Sequence, residues 1–154
     1  MRKDIVILIA EDDDGHAALV QRNLKRSGIA NKMIRFNNGE EVLKFLIKEE
    51  GDEGPVLSTP YLLLLDIRMP KVDGIEVLKR LKSHPELKKM PVIMVTTTDD
   101  PREVNRCHEL GCNNYVIKPV DYEKFVKAIR QLGLFLKVVR IPEFEDNVTI
   151  EKTD

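Results

Sequence analysis

Charge of one sign is missing from this chain: 25 basic residues against 26 acidic ones leave a formal net charge of −1 over 154 residues. That balance gives no electrostatic footprint for nucleic acid or an anionic membrane surface, so direct DNA binding is not expected. Cysteine is scarce as well. Cys107 and Cys112 lack the spacing of a zinc site or a redox pair, which points to a reducing compartment and to small buried hydrophobes. Long apolar runs are absent. Met1-Arg2-Lys3-Asp4 leads into only six apolar residues, Ile5 to Ala10, too few for a signal-peptide core. They also fall far short of the ~20 needed to span a bilayer, so a soluble, cytoplasmic protein with no membrane partner is expected. The chain has no fixed-period repeat and no low-complexity tract, and its length suits one domain whose core needs no disulfide or metal staple.

What is present is a set of short apolar runs, each stopping at a chemically distinctive residue. Ile5 to Ala10 stops at Glu11-Asp12-Asp13, and Tyr61 to Leu65 stops at Asp66. Val92 to Val95 stops at Thr96, and Tyr115 to Ile117 stops at Lys118-Pro119. Acid, acid, hydroxyl and lysine at four strand ends suggest one site at one edge of a sheet.

Segments of helical spacing separate the runs, which argues for repeated βα units around a parallel sheet. The first helix starts near Asp14, aligns Ala17, Val20 and Leu24 on one face, and stops at Gly28. A weaker strand from Lys32 to Phe36 follows. Asn38 caps a helix with Glu41 three residues on, and Val42, Phe45 and Leu46 share its inner face. A turn through Pro70 and Gly74 leads into Ile75, Leu78 and Leu81 at helical spacing. Asp100, Pro101 and Glu103 form a capping box for a helix ending at Gly111, and a last helix from about Asp121 buries Phe125, Ile129 and Leu132.

In an open parallel sheet the ligand crevice lies at the carboxyl ends of the strands where their order reverses. Neighbouring strands are ~4.8 Å apart, so carboxylates from the first and third would repel one another while reaching a common point. A hard divalent cation resolves that repulsion. The all-oxygen donor set, without nearby histidine or cysteine, suits Mg²⁺ better than zinc and leaves positions open for phosphate oxygens. Lys118 and Thr96 would balance charge on a transferring phosphoryl group, and Asp66 is the best candidate for the attacking carboxylate. Composition and periodicity alone do not choose among Glu11, Asp12, Asp13 and Asp66.

The run Leu64-Leu65-Asp66-Ile67-Arg68-Met69-Pro70-Lys71-Val72-Asp73-Gly74, with Glu11-Asp12 before it and Thr96 and Lys118-Pro119 after it, resembles the receiver domain of bacterial two-component response regulators. The resemblance covers about residues 4 to 133. It implies a flavodoxin-like (βα)5 α/β fold, a doubly wound parallel sheet of order 2-1-3-4-5, followed by an apolar C-terminal extension. It implies that Asp66 accepts a phosphoryl group from a sensor histidine kinase and that Mg²⁺ is held by Glu11, Asp12, Asp66 and the carbonyl of Arg68. Lys118 and Thr96 would then assist catalysis, Thr96 and Tyr115 would form the switch pair, and Lys118-Pro119 would be cis. Asp13 falls outside the pair and becomes a loop or cap residue, while His16, His84 and His108 are isolated and take surface or packing roles. Thr97 departs from the family, which usually has a small residue there.

Two segments exceed the minimal pattern. Residues 48–60 make a charged, Gly- and Pro-bearing connection, expected as a mobile surface loop. Residues 134–154 carry Leu134, Phe135, Leu136, Val138, Val139 and Ile141, too apolar for a disordered end, and are expected as a docking or dimerisation arm after a receiver domain of residues 1–133. Together they are similar to single-domain regulators that partner phytochrome-type sensor kinases. The expected function is therefore a stand-alone phosphorylation switch that is not itself an enzyme acting on other molecules. It would form a homodimer and signal to a downstream protein by contact. Two competing readings are a Mg²⁺-dependent phosphatase or phosphotransferase, disfavoured because no second acid stands two residues after Asp66, and a pseudo-receiver that binds partners without phosphorylation.

Overall fold

The computed structural model describes residues 1–47, 59–138 and 140. Five strands alternate with five helices: β1 (Val6–Ala10), α1 (Asp14–Arg26), β2 (Met33–Phe36), α2 (Gly39–Leu46), β3 (Tyr61–Leu65), α3 (Gly74–Ser83), β4 (Val92–Thr96), α4 (Pro101–Leu110), β5 (Asn114–Ile117) and α5 (Tyr122–Val138). All four ladders are parallel and the strand order is β2-β1-β3-β4-β5. This is the flavodoxin-like order expected from the sequence.

Side chains alternate across a strand, so the continuous apolar runs supply two cores at once. Leu8, Leu63, Leu65, Val92 and Met94 join Val42, Val77, Leu78 and Cys107 beneath α2, α3 and α4. Ile7, Ile9, Leu62, Leu64, Ile93 and Val95 join Val20, Leu24, Phe125, Ile129 and Leu132 beneath α1 and α5. Full burial of each such side chain contributes about 1.5–3 kcal/mol. Phe45 and Ile75, expected on inner faces, pack only half-buried at the core's margin, and the adjacent Leu43 and Val77 are fully inside. Cys107 and Cys112 are buried free thiols, and burial pushes the Cys107 thiol up to about 11, which makes it a poor nucleophile.

Helix starts follow the capping chemistry. Asp13 caps α1 by accepting from the His16 amide, and Asn38 caps α2 by accepting from the Glu41 amide. The box expected at α4 forms only in part: Asp100 accepts from the Arg102 amide, while Glu103 turns away to pair with Arg68. At Gly111 the left-handed φ of 103° ends α4 as expected. The 133/134 boundary drawn from sequence falls inside α5, whose continuous helix runs to Val138 and buries Leu136. Residues 48–58, 139 and 141–154, which hold most of the expected loop and arm, lie outside the described residues. No helix among the described residues is long and apolar enough to cross a membrane.

Between Asp66 and α3 the chain makes a tight descent. Val72 N–H donates to the Pro70 carbonyl across Lys71, whose φ is +69°, a strained γ-turn. Gly74 then passes so close to β3 that a Cβ there would lie 2.0 Å from the Asp66 carbonyl oxygen. Replacing Gly74 with Ala must therefore displace the backbone that carries Asp66. We expect Gly74→Ala to cost about 1–3 kcal/mol, the usual range for overpacking. Thermal melts of the two proteins check this, and an unchanged Tm would show that the contact is relieved without cost.

Candidate functional site

Four of the five strands, β1, β3, β4 and β5, each deliver one polar residue just as the ladder ends. The Asp66 amide donates to the Ala10 carbonyl, the Lys118 amide to the Thr96 carbonyl and the Glu11 amide to the Phe36 carbonyl, so the backbone fixes where these side chains leave the sheet. Glu11, Asp66, Thr96 and Lys118 are all buried, with exposures of 3%, 7%, 0% and 5%. Charged groups are placed at such depth only when paired.

Lys118 supplies the pairing. Its Nζ donates to Glu11 Oε1 at 2.6 Å and to Asp66 Oδ2 at 2.9 Å, joining residues 107 and 52 positions away. The Ile67 amide donates to the other Asp66 oxygen at 2.7 Å. Asp12, exposed at the rim, completes an acidic triad: carboxylate oxygens of Glu11, Asp12 and Asp66 lie within 4.8 Å of one another.

One ammonium does not neutralise three acids, and the titration behaviour of the site follows. Burial, reinforced by the adjacent Asp66 carboxyl and opposed by Lys118, pushes Glu11 up to about 8. Burial also tends to raise Asp66, but the neighbouring Glu11 carboxyl and the Lys118 charge outweigh it, so Asp66 stays below its ordinary value. The pair thus divides into one carboxyl that holds a proton and one that remains anionic. Of the three buried side-chain oxygens left without a hydrogen-bond partner among the described residues, two belong to this site: Glu11 Oε2 and Thr96 Oγ1. An orphaned carboxylate oxygen beside two more acids is the donor chemistry of a hard cation, so these residues fit Mg²⁺.

The remaining expected residues sit around this centre. Arg68 is exposed, and its guanidinium reaches Glu103 on α4 at 3.2 Å. Tyr115, half-buried on β5, donates its hydroxyl to the Thr98 carbonyl at 2.7 Å, on the segment that follows Thr96. Thr97 is exposed. Asp13 serves as the α1 cap. The Lys118-Pro119 bond, expected to be cis, is trans, since no cis bond occurs among the described residues. The lysine reaches both carboxylates from the trans backbone.

Two residues emerge that sequence reasoning passed over. Arg35 on β2 donates Nε and Nη2 to the Glu11 carbonyl, at 3.0 and 2.9 Å, and Nη1 to Asp14 at 2.6 Å, clamping the turn that bears the acids. His16, dismissed as isolated, places Nδ1 3.0 Å from Glu11 Oε1 and 3.2 Å from Lys118 Nζ. Its position in the first turn of the helix after the acidic strand end was the available signal.

The description "response regulator receiver domain" matches residues 7–130 at the level of a family profile. The response regulator Rcp1 of Synechocystis sp. is 35% identical over 139 residues, 89% of this chain and 92% of Rcp1. A crystal structure of a response regulator receiver domain from Rhodospirillum rubrum superposes with a TM-score of 0.85 at 44% identity, covering 92% of this chain and 99% of that one. The phosphorylated cyanobacterial phytochrome response regulator RcpA superposes with a TM-score of 0.76 at 26% identity, covering 90% and 98%.

A proton held to about pH 8 has a measurable signature. Folded Glu11 keeps its proton where an unfolded glutamate, near 4.5, has lost it. The stability this contributes is fully present below about pH 4.5 and is lost as pH rises through about 8. Without divalent cations, the Tm of the wild type should fall between pH 6 and pH 9 relative to Glu11→Gln, whose amide does not titrate. Parallel pH profiles for the two proteins would refute this.

Proposed function

The chain belongs to the family of response regulator receiver domains, and on that premise we propose that it is a phosphorylation switch whose phosphoacceptor is Asp66. The observation that carries the reading is the convergence of Glu11, Asp12 and Asp66 within 4.8 Å of one another, with the Lys118 ammonium bonded to Glu11 and Asp66. Asp66 stays anionic and nucleophilic beside Lys118, while Glu11 retains a proton that a divalent cation can replace. Glu11, Asp12, Asp66 and the backbone carbonyl of Arg68 would hold Mg²⁺, which when bound neutralises the acids and polarises an incoming phosphate.

The chain's own groups account for the rest. A carboxylate oxygen of Asp66 attacks phosphorus of a phosphohistidine on a sensor histidine kinase. The P–O bond forms as the P–N bond breaks, and the electron pair leaves with the imidazole nitrogen, which takes up a proton. Lys118 stabilises charge on the phosphoryl oxygens, and the unpartnered Thr96 hydroxyl turns to donate to one of them. The hydrogen bond from Tyr115 to the Thr98 carbonyl ties the aromatic ring to the segment that Thr96 pulls on, so a local charge of about −1.5 to −2 reshapes the face built from α4, β5 and α5.

Output then passes through protein contact. Ile117, Val120 and Tyr122 near β5 and Leu134, Phe135 and Val138 on α5 are exposed large hydrophobes, a surface suited to a second copy of the chain or a downstream protein. Similarity to Rcp1 and RcpA supports a phytochrome-type kinase as the phosphodonor, acting in the cytoplasm.

Acetyl phosphate with Mg²⁺ should add one phosphoryl group to the wild type and none to Asp66→Asn, read by intact-mass spectrometry. Equal labelling of both would overturn the assignment. The double variant Leu134→Asp/Phe135→Asp should shift the protein toward monomer in light scattering. A wild type that is already monomeric at all concentrations would rule the dimer out.

A further inference from the structure

We propose that His16 is a positioning residue for Lys118, holding the ammonium at the mouth of the acidic pocket through a ring that α5 clamps in place. The inference rests on the phosphorylation reading for its kinetic consequence, but its geometry is independent of it. An ammonium has three protons and no acceptor capacity. Around Lys118 Nζ stand three acceptor atoms: Glu11 Oε1 at 2.6 Å, Asp66 Oδ2 at 2.9 Å and His16 Nδ1 at 3.2 Å. The first two draw the lysine inward. His16 is the only one of the three on the helix side of the pocket and the most exposed, its side chain being 39% accessible.

Nδ1 also lies 3.0 Å from Glu11 Oε1, so it sits beside both Glu11 and Lys118. Carrying its proton, Nδ1 donates to Glu11; bare, it accepts from Lys118. Only the bare tautomer holds the lysine directly, and in it the ammonium has one fixed approach rather than a fan of rotamers. Four rotatable bonds make lysine costly to order, and a third contact removes much of that freedom before the reaction begins.

The ring itself is held. It stacks on Phe125 of α5, with centroids 5.4 Å apart and planes 29° from parallel, and Phe125 is buried in the core shared by α1 and α5. A histidine in a half-exposed first turn gains little by being stacked unless its orientation matters. The stack also places the site in contact with α5, the helix whose far end carries Leu134, Phe135 and Val138.

Two variants separate the roles of ring and nitrogen. His16→Phe keeps the stack on Phe125 and removes the polar atom. His16→Asn removes the ring but places an amide atom at the same distance along the side chain as Nδ1. The first readout is NMR of the full chain labelled with ¹⁵N-lysine, with the Lys118 ammonium signal identified by its loss in Lys118→Arg. The signal should exchange slowly in the wild type and in His16→Asn and should broaden away in His16→Phe. The second readout is the rate of Asp66 phosphorylation by acetyl phosphate with Mg²⁺, which should fall about five- to tenfold in His16→Phe and stay within about twofold in His16→Asn.

An equally protected ammonium in His16→Phe, or a wild-type rate in that variant, overturns the proposal. Equal losses in both variants overturn it too, because the ring and not the nitrogen would then matter. If no protein takes up phosphate, it is the phosphorylation reading that fails, and the ammonium signal alone still decides the role of His16.

Discussion

One buried ammonium holds this site together. Lys118 lies between Glu11 and Asp66, yet three carboxylates converge within 4.8 Å, so the positive charge falls short of the negative. Such a deficit has to be met by a proton, a cation or both. In the chain by itself the proton on Glu11 meets it: burial first, and then the Asp66 carboxyl beside it, push Glu11 up to about 8, while Asp66 stays below its ordinary value. Removing the lysine would leave buried acids facing each other with nothing between them, a loss of the size seen when one partner of a buried pair is deleted, about 3–5 kcal/mol.

The rest of the fold keeps that balance in register. None of the four buried polar residues belongs to a free loop; each leaves the sheet at a backbone hydrogen bond shared with a neighbouring strand. Arg35 reaches across from β2 to grip the carbonyl of Glu11 itself. Gly74 lets α3 begin against the carbonyl of Asp66, so the backbone of Asp66 is wedged between β1 on one side and a helix start on the other. The strain of Lys71 in its turn is stored next to that wedge, where surrounding contacts over-determine the backbone.

Much of this was visible in the sequence, for physical reasons. Runs such as Leu62 to Leu65 are buried on both faces in a parallel sheet, and they announce themselves as unbroken apolar stretches. Their ends are equally plain, because a carboxylate or lysine directly after such a run must lie at the sheet's edge. Caps at Asn38 and Asp100 were legible since capping is local chemistry. Non-local choices were not legible: Glu103 had two local and distant partners open to it and took Arg68. Arg35 was hidden for the same reason, its partners Glu11 and Asp14 lying more than 20 positions back, and so was the reach of His16 to Lys118, 102 positions on, whereas its contact with Glu11 is local. Phe45 and Ile75 show the limit of periodicity, which orients a face but does not say how deep each residue on it sinks.

The strand that delivers Lys118 is the one with least support. β5 lies at the sheet's edge, paired only to β4, and its residues run exposed, half-buried, half-buried, exposed. The counter-ion of the whole acidic cluster therefore hangs from the sheet's outer hem, continuous with the exposed Ile117 and Val120. Linkage between two binding events is reciprocal. If charge added at Asp66 alters the grip of β5 on a partner by some factor, the partner alters the free energy of that added charge by the same factor. A molecule seated on this edge would thus both sense charge at Asp66 and shift the equilibrium of its addition by the same factor.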